Sequence, residues 1–440
     1  MKIALVSGDG LPASGLLTVF RSVLGLLGDR VDYPVPADLG YSWRPDKPAY
    51  FPAGPADPVT PDWLLVSSEV PVPDSEAELL AIRDAVARAA TLSEHARTLL
   101  RQRIEALAAP YERYFRAWLD RHRPDWVVAV NLTLSDAVPV TLALHRAIAA
   151  SRANLLCWDH DLFGSCAVFE HGERVYPLRP NEFTPLPGPE HRWAVVSGAL
   201  ADEAEGYGTG TRPVVVPNVL PQIPSTVDKL HHDFRTAHEL APDRPVLLAP
   251  VRVFRVKGVE LSVRLFAQVR EAARRRGEPE PYLLVFGALD EDPDYARTVL
   301  TEVRATGTGA DIRFLNGVPL GSGYVGGTPR LAETDLLALA DAVLFTPSRP
   351  DVETIGLGPA LAAAAGIPCA VTPYDAYHEV YGPDFHAVHV GQEGAPDRLL
   401  DLLAARRSGA AWYTEQVAAN RELVARVFPE QPWRALLASL

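Results

Sequence analysis

Apolar positions along this chain fall in short runs, and between most of the runs lie stretches whose apolar residues recur every three or four positions. The short runs fit strands buried on both faces, and the longer period fits amphipathic helices. In the first half the pattern predicts strands at KIALVS (2–7), DWLLVS (62–67), WVVAV (126–130), NLLCW (154–158), WAVVS (193–197) and PVVVP (213–217). Ser75 to His122, rich in Ala, Leu and Arg, reads as two or three long helices. In the second half the predicted strands are PVLLAP (245–250), YLLVFG (282–287), DIRFL (311–315), AVLFT (342–346), PCAVT (368–372) and HAVHV (386–390). Such alternation predicts an α/β chain with parallel sheets covered by helices on both faces. Two segments break the pattern. The proline-rich piece from Tyr33 to Pro61 is expected to be an irregular surface loop. NGVPLGSGYVGGTPR, which ends at Arg330, lacks the strand-GxGxxG-helix order of a dinucleotide fingerprint and is expected to be a mobile loop beside the crevice.

At 440 residues the chain is long for one core, so two doubly wound domains are expected, at 1–220 and 221–440. The ligand crevice belongs outside the carboxyl ends of the strands, between the domains. The helical segment from Ala411 onward is free to pack back across the hinge. Composition narrows the partners. Fifty-five acidic against 42 basic side chains give a formal net charge of −13, which argues against a nucleic-acid or anionic-membrane surface. Any bound anion must then be met locally. Cys157, Cys166 and Cys369 show no paired spacing and read as reduced, structural thiols. The N-terminus enters a buried-strand pattern at once, with no leader pattern, and no apolar run reaches membrane-spanning length, so a cytoplasmic protein is expected. Heavy use of Ala, Arg and Pro points to a GC-rich bacterial genome.

Two places hold candidate chemistry. After PVLLAP, the residues Arg252, Arg255 and Lys257 crowd a strand end just before a helix, which suits a diphosphate. An isolated RxxRxK also fits a solvated basic turn. At the end of a later strand in the same half, Glu353 precedes Gly356 and Gly358, with Pro359 in the first helical turn. A carboxylate aimed at pyrophosphate would repel it, whereas one accepting hydrogen bonds from sugar hydroxyls would orient a glycosyl group. A helix-start charge favoured by the macrodipole is the simpler alternative.

In this order along the chain, the motifs resemble the large family 4 of retaining, GT-B fold glycosyltransferases (glycosyl transferases group 1). SGDGLPASGLLTVFRSVL stands where that family has a paired-glycine loop against the donor phosphate, and CWDHDLFG resembles its histidine-bearing loop, matched by His160. VVSGALADEAEGYG with VVVPNVL is similar to the stretch ending in a proline-asparagine turn. PVRVFRVKGVELSVRLF matches the phosphate-binding arginine and lysine at Arg252 and Lys257, and PSRPDVETIGLGPALAAAAGIPCAVT matches the glutamate-containing helix start at Glu353. The resemblance implies two Rossmann-like domains facing a cleft, and a sugar moved from a nucleoside diphosphate donor to a small-molecule or glycan acceptor, with no cofactor or metal. It implies catalytic roles for Arg252, Lys257, Glu353 and His160, and donor contacts from Gly10, Gly15, Gly258, Ile355, Gly356, Leu357 and Gly358. Asn131, Ser135 and Asp161 are placed toward the acceptor.

Two positions depart from the family. The second glutamate, eight residues after the first and commonly bonded to the nucleotide ribose, is replaced by Leu361, and the paired glycine is Ser14-Gly15. A nucleotide-sugar epimerase of the same fold stays open as an alternative, and Leu361 keeps open a non-catalytic relative. The Asp159-His160-Asp161 triplet invites a metal reading, but neighbours on a strand point to opposite faces, so no metal site is expected.

Overall fold

The computed structural model describes residues 1–7, 15–44, 61–134, 136–164, 169–170, 173–174, 176–319, 321–351, 353 and 355–440. The first half holds β1 (Ile3–Ser7), α1 (Gly15–Leu27), β2 (Val35–Asp38), β3 (Leu64–Val66), α2 (Glu76–Ala87), α3 (Glu94–His122) and β4 (Trp126–Val130). It continues through α4 (Val138–Ala149), β5 (Asn154–Asp159), the short pair β6 (Phe169–Glu170) and β7 (Glu173–Arg174), β8 (Arg192–Val195), α5 (Gly198–Glu205) and β9 (Val214–Val215). Seven of these strands form one parallel sheet in the order β3-β2-β1-β4-β5-β8-β9.

The second half begins with α6 (Lys229–Ala237), β10 (Val246–Ala249), α7 (Val259–Arg276), β11 (Tyr282–Val285), α8 (Pro293–Thr306) and β12 (Ile312–Phe314). A hairpin of β13 (Gly323–Val325) and β14 (Thr328–Arg330) follows, then α9 (Glu333–Leu339), β15 (Ala342–Phe345), α10 (Leu357–Ala365) and β16 (Cys369–Val371). The chain closes with α11 (Tyr377–Tyr381), β17 (Val388–His389), α12 (Ala395–Ser408), α13 (Ala411–Val427) and α14 (Gln431–Ala438). Its six-stranded parallel sheet has the order β12-β11-β10-β15-β16-β17. In that order the winding reverses between β10 and β15, and the ends of these two strands are where a doubly wound sheet opens a crevice.

Strand interiors such as Ala4, Leu5, Val127, Leu247, Leu248 and Val343 are fully buried, as expected for sheets covered on both faces. The C-terminal helix does return to the first domain. Trp433 on α14 meets Trp158 of β5 edge-on at 5.1 Å, and its indole N–H donates to the carbonyl of Pro217 at 2.9 Å. Arg30 reaches the carbonyl of Leu437 at 3.3 Å.

Two expectations need correction. The Tyr33–Pro61 segment contains β2, an internal strand of the first sheet. Val35 donates its N–H to Trp63 on the β3 side, so the nitrogen of Pro36 faces β1, whose register begins only at Ala37 opposite Leu5. Pairing with β1 therefore starts only after the position that lacks an N–H. The glycine-rich segment is not simply a loop, because Gly323 to Val325 pairs antiparallel with Thr328 to Arg330 around Gly326-Gly327. Among the described residues no helix is long and apolar enough to cross a membrane.

Candidate active site

The ends of β10 and β15 are locked together by short polar contacts. Ser348 donates its N–H to the carbonyl of Val256 at 3.0 Å and its hydroxyl to that of Arg255 at 2.8 Å. Thr346 Oγ1 donates to the carbonyl of Gly258 at 2.9 Å and shares a hydrogen bond with Ser262 at 2.7 Å. Gly258 has φ +60°, and a Cβ there would lie 2.0 Å from the Thr346 carbonyl oxygen, so only glycine lets the two loops approach so closely. The approach sets Lys257 against Glu353, with Nζ to Oε1 at 2.5 Å and side chains 25% and 10% exposed.

Arg252 forms an ion pair with the buried Glu291 from the loop after β11 and lies 5.0 Å from the ring of Phe254. Burial pushes the Glu291 carboxyl up, and Arg252 opposes that shift. Of the three basic residues read from the sequence, Arg255 stands apart, with its guanidinium 5.8 Å from the ring of Tyr295 on α8. Both remaining cations thus hold carboxylates.

Beyond Glu353, the hydroxyl of Tyr374 donates to the carbonyl of Ile355 at 2.7 Å and that of Tyr381 to Gly356 at 2.6 Å. These bonds fix the peptide planes that lead into α10. Gly356 has φ +67°, and a Cβ there would fall 2.2 Å from the Tyr374 hydroxyl. Gly358 is buried against Phe345, and Leu357 is half-buried. Leu361, on α10 itself, is buried in the core, so packed hydrocarbon stands eight residues after Glu353.

From the first domain, the Asp-His-Asp triplet divides into three environments. Asp159 is fully buried and accepts from Thr133 Oγ1 at 2.5 Å and from the Trp193 indole at 2.7 Å. His160 is buried beside the Trp158 ring at 4.6 Å, and its backbone N–H donates to Asn131 Oδ1 at 2.8 Å. Loss of solvent drives its pKa down to about 3, which keeps the ring neutral, and Nε2 has no hydrogen-bond partner. A buried imidazole nitrogen without a partner retains the capacity for one more hydrogen bond. Asp161 faces the other domain, with its carboxyl pushed up to about 6 by burial. Lys257 works against that shift, and Glu353 and Glu203 reinforce it.

The first-domain loop and the two second-domain loops therefore converge. Asn131, expected near the acceptor, is buried at φ +52° and holds the His160 backbone. Gly15 begins α1, whereas Gly10, Ser135 and Cys166 lie outside the described residues. Cys157 and Cys369 are buried, and burial pushes both thiols up. Among the described residues no group of three or more His, Cys, Asp or Glu is placed to hold a metal ion.

Sequence reasoning missed three acidic participants. Glu291 sits in the acidic stretch ALDEDPDY, where composition alone does not tell which carboxylate is buried. Glu203 and Glu379 line a cavity of about 390 Å³ between the domains, together with Ile355 and Phe428.

No family model matches the chain. Solved structures align over its whole length. Anabaena Alr3699/HepE in complex with UDP and glucose superposes with a TM-score of 0.56 at 13% identity, covering 100% of this chain and 99% of that one. Sucrose-phosphate synthase from Thermosynechococcus elongatus gives 0.54 at 14% identity, covering 100% and 98%. The fold is therefore the GT-B arrangement of two parallel-sheet domains. A curated relative, mannosylglucosylglycerate synthase of Thermotoga maritima, is 25% identical over 185 residues, or 39% of this chain. The match spans 42% of that relative's length.

Proposed function

We propose that the chain is a retaining glycosyltransferase that moves a sugar from a nucleoside diphosphate sugar to an acceptor hydroxyl, or less often an amine. One observation carries the reading. Lys257 and Glu353 meet at the switch point of the second sheet, within electrostatic reach of Asp161 from the first domain. That point is where a doubly wound sheet takes a phosphorylated ligand, and a partner for each half of such a ligand is present.

On donor binding the pair opens. The Lys257 ammonium and the Arg252 guanidinium turn to the diphosphate, and the freed Glu353 carboxylate accepts hydrogen bonds from sugar hydroxyls. His160 stays neutral and offers Nε2 to the sugar from the opposite wall. As the bond from the anomeric carbon to the β-phosphate oxygen breaks, its electron pair remains on that oxygen. The two cations stabilise the growing charge, and each aligned contact of this type lowers the barrier by about 2.7–4 kcal/mol. The acceptor oxygen bonds to the anomeric carbon on the same face, and its proton passes to the departing phosphate. Arg252 and Lys257 supply the positive charge, so the step is written without a metal ion. Sheet order, the GT-B likeness to sugar-nucleotide enzymes and the partial match to mannosylglucosylglycerate synthase all support the reading.

Leu361 favours one second reading, a sugar-nucleotide binding protein without turnover, because hydrocarbon there offers no acceptor to a ribose hydroxyl. Thermal shifts against UDP, GDP, ADP and dTDP, repeated with Arg252→Ala, test the proposal. Stabilisation by at least one diphosphate, lost in the variant, is expected, and the absence of any stabilisation overturns it. Transfer across a panel of sugar donors and acceptors then separates the enzyme from the binding protein.

A further inference from the structure

We infer that the interdomain cavity holds the acceptor, and that this acceptor is an amine-bearing sugar or cyclitol rather than a neutral or anionic one. The inference rests on the transferase reading above and adds the class of its second substrate.

Position comes first. The cavity of about 390 Å³ falls in the size range of small-molecule sites and is walled by both domains. Ile355 in its wall is two residues from Glu353, and Glu203 in its wall is close enough to Asp161 to act on that carboxyl. The cavity therefore lies beside the place assigned to the donor sugar. A second substrate has to reach the anomeric carbon from such a space.

Chemistry comes next. Val196, Leu200, Val380 and Phe428 give the cavity an apolar surface suited to the C–H face of a ring. Among the described residues its charged lining is Glu203 and Glu379, with no Lys, Arg or His. Glu203 accepts from the N–H of Gly164 at 2.5 Å and from the Tyr207 hydroxyl, both neutral donors, so its charge is fixed in direction but not cancelled. With Asp161 at the same end, an ammonium entering the cavity meets carboxylates, and Lys257, the cation that acts on Asp161, is already paired with Glu353. A carboxylate or phosphate on the acceptor would meet like charge in a site partly shut off from water, which disfavours it strongly.

The test uses three hexoses that share one ring and differ in charge: glucosamine, glucose and glucuronate. Their affinities are measured by calorimetry, with and without a bound nucleoside diphosphate. Glucosamine is expected to bind at least tenfold more tightly than glucuronate, with glucose between them. Glu379→Gln, at an exposed position, and Glu203→Gln are each expected to lower the glucosamine-to-glucuronate ratio at least threefold. Equal or tighter binding of glucuronate, a ratio unchanged in both variants, or no binding of any of the three overturns the inference. Diphosphate affinity on the unaltered chain keeps the two ideas apart. If UDP, GDP, ADP and dTDP all fail to bind, the transferase reading fails. If one binds while amine preference is absent, only the acceptor assignment falls.

Discussion

Replacing Glu353 by Gln should move nucleotide affinity and sugar transfer in opposite directions. In the free protein Glu353 Oε1 holds Lys257 Nζ at 2.5 Å, and the lysine is 25% exposed against 10% for the glutamate. A diphosphate must break that pair before it can use the ammonium. Partial exposure places the pair between surface and buried examples, so opening it costs about 1–2 kcal/mol. Gln removes that cost while keeping the shape, so a nucleoside diphosphate should bind roughly 5- to 30-fold more tightly. The sugar loses a charged acceptor worth about 1.5–3 kcal/mol, and because kcat/KM is also referred to the free enzyme the saved opening cost is subtracted, leaving a net loss of about 1 kcal/mol, or roughly 5-fold, with the sugar nucleotide. Calorimetry with the diphosphate and initial rates with the sugar nucleotide read the two effects separately. Weaker diphosphate binding in Glu353→Gln would refute the reasoning, because Glu353 would then be helping to hold the nucleotide and not competing for Lys257.

Arg252→Ala should weaken diphosphate binding by about 10- to 150-fold, the loss of one charge-assisted contact, and should also lower Tm because buried Glu291 loses its cation. Adding Glu291→Gln is expected to recover Tm but not affinity, as thermal scans with and without ligand will show. His160 is buried neutral, with its pKa driven down to about 3 from an ordinary value of 6.5, so between these values the unfolded chain binds more protons than the folded one. The stability it contributes is full above pH 6.5 and is lost as pH falls toward 3, at up to about 1.4 kcal/mol per pH unit, and urea titrations should show His160→Gln flattening that limb. Gly258→Ala should cost more than the roughly 1–2 kcal/mol of a left-handed non-glycine residue, because its Cβ meets the Thr346 carbonyl. Gly28→Ala, at φ +54° with open space around it, should cost only that amount by chemical denaturation.

Both sheets were largely legible because their strands are buried on both faces, and runs such as Trp126–Val130 and Val246–Ala249 keep an unbroken apolar pattern. β2 was not, since Val35-Pro36-Ala37-Asp38 is short and carries two residues that normally break strands. Its place between β1 and β3 comes from tertiary pairing, which leaves no local period to read. The same limit applies to the site. The strand-end placement of Arg252, Lys257 and Glu353 was legible because each follows shortly after an apolar run. Glu291, Glu203 and the buried state of Leu361 depend on which loops meet across the molecule, and spacing along one chain does not contain that information. Asn131 shows the converse, where a polar residue at a strand end serves the backbone of His160.

The most direct measurement is a crystal structure of the chain with a nucleoside diphosphate bound. The account predicts phosphate oxygens within hydrogen-bond distance of Arg252 and Lys257, with the 2.5 Å contact between Lys257 and Glu353 opened. Phosphates seated elsewhere, with that contact intact, would contradict it.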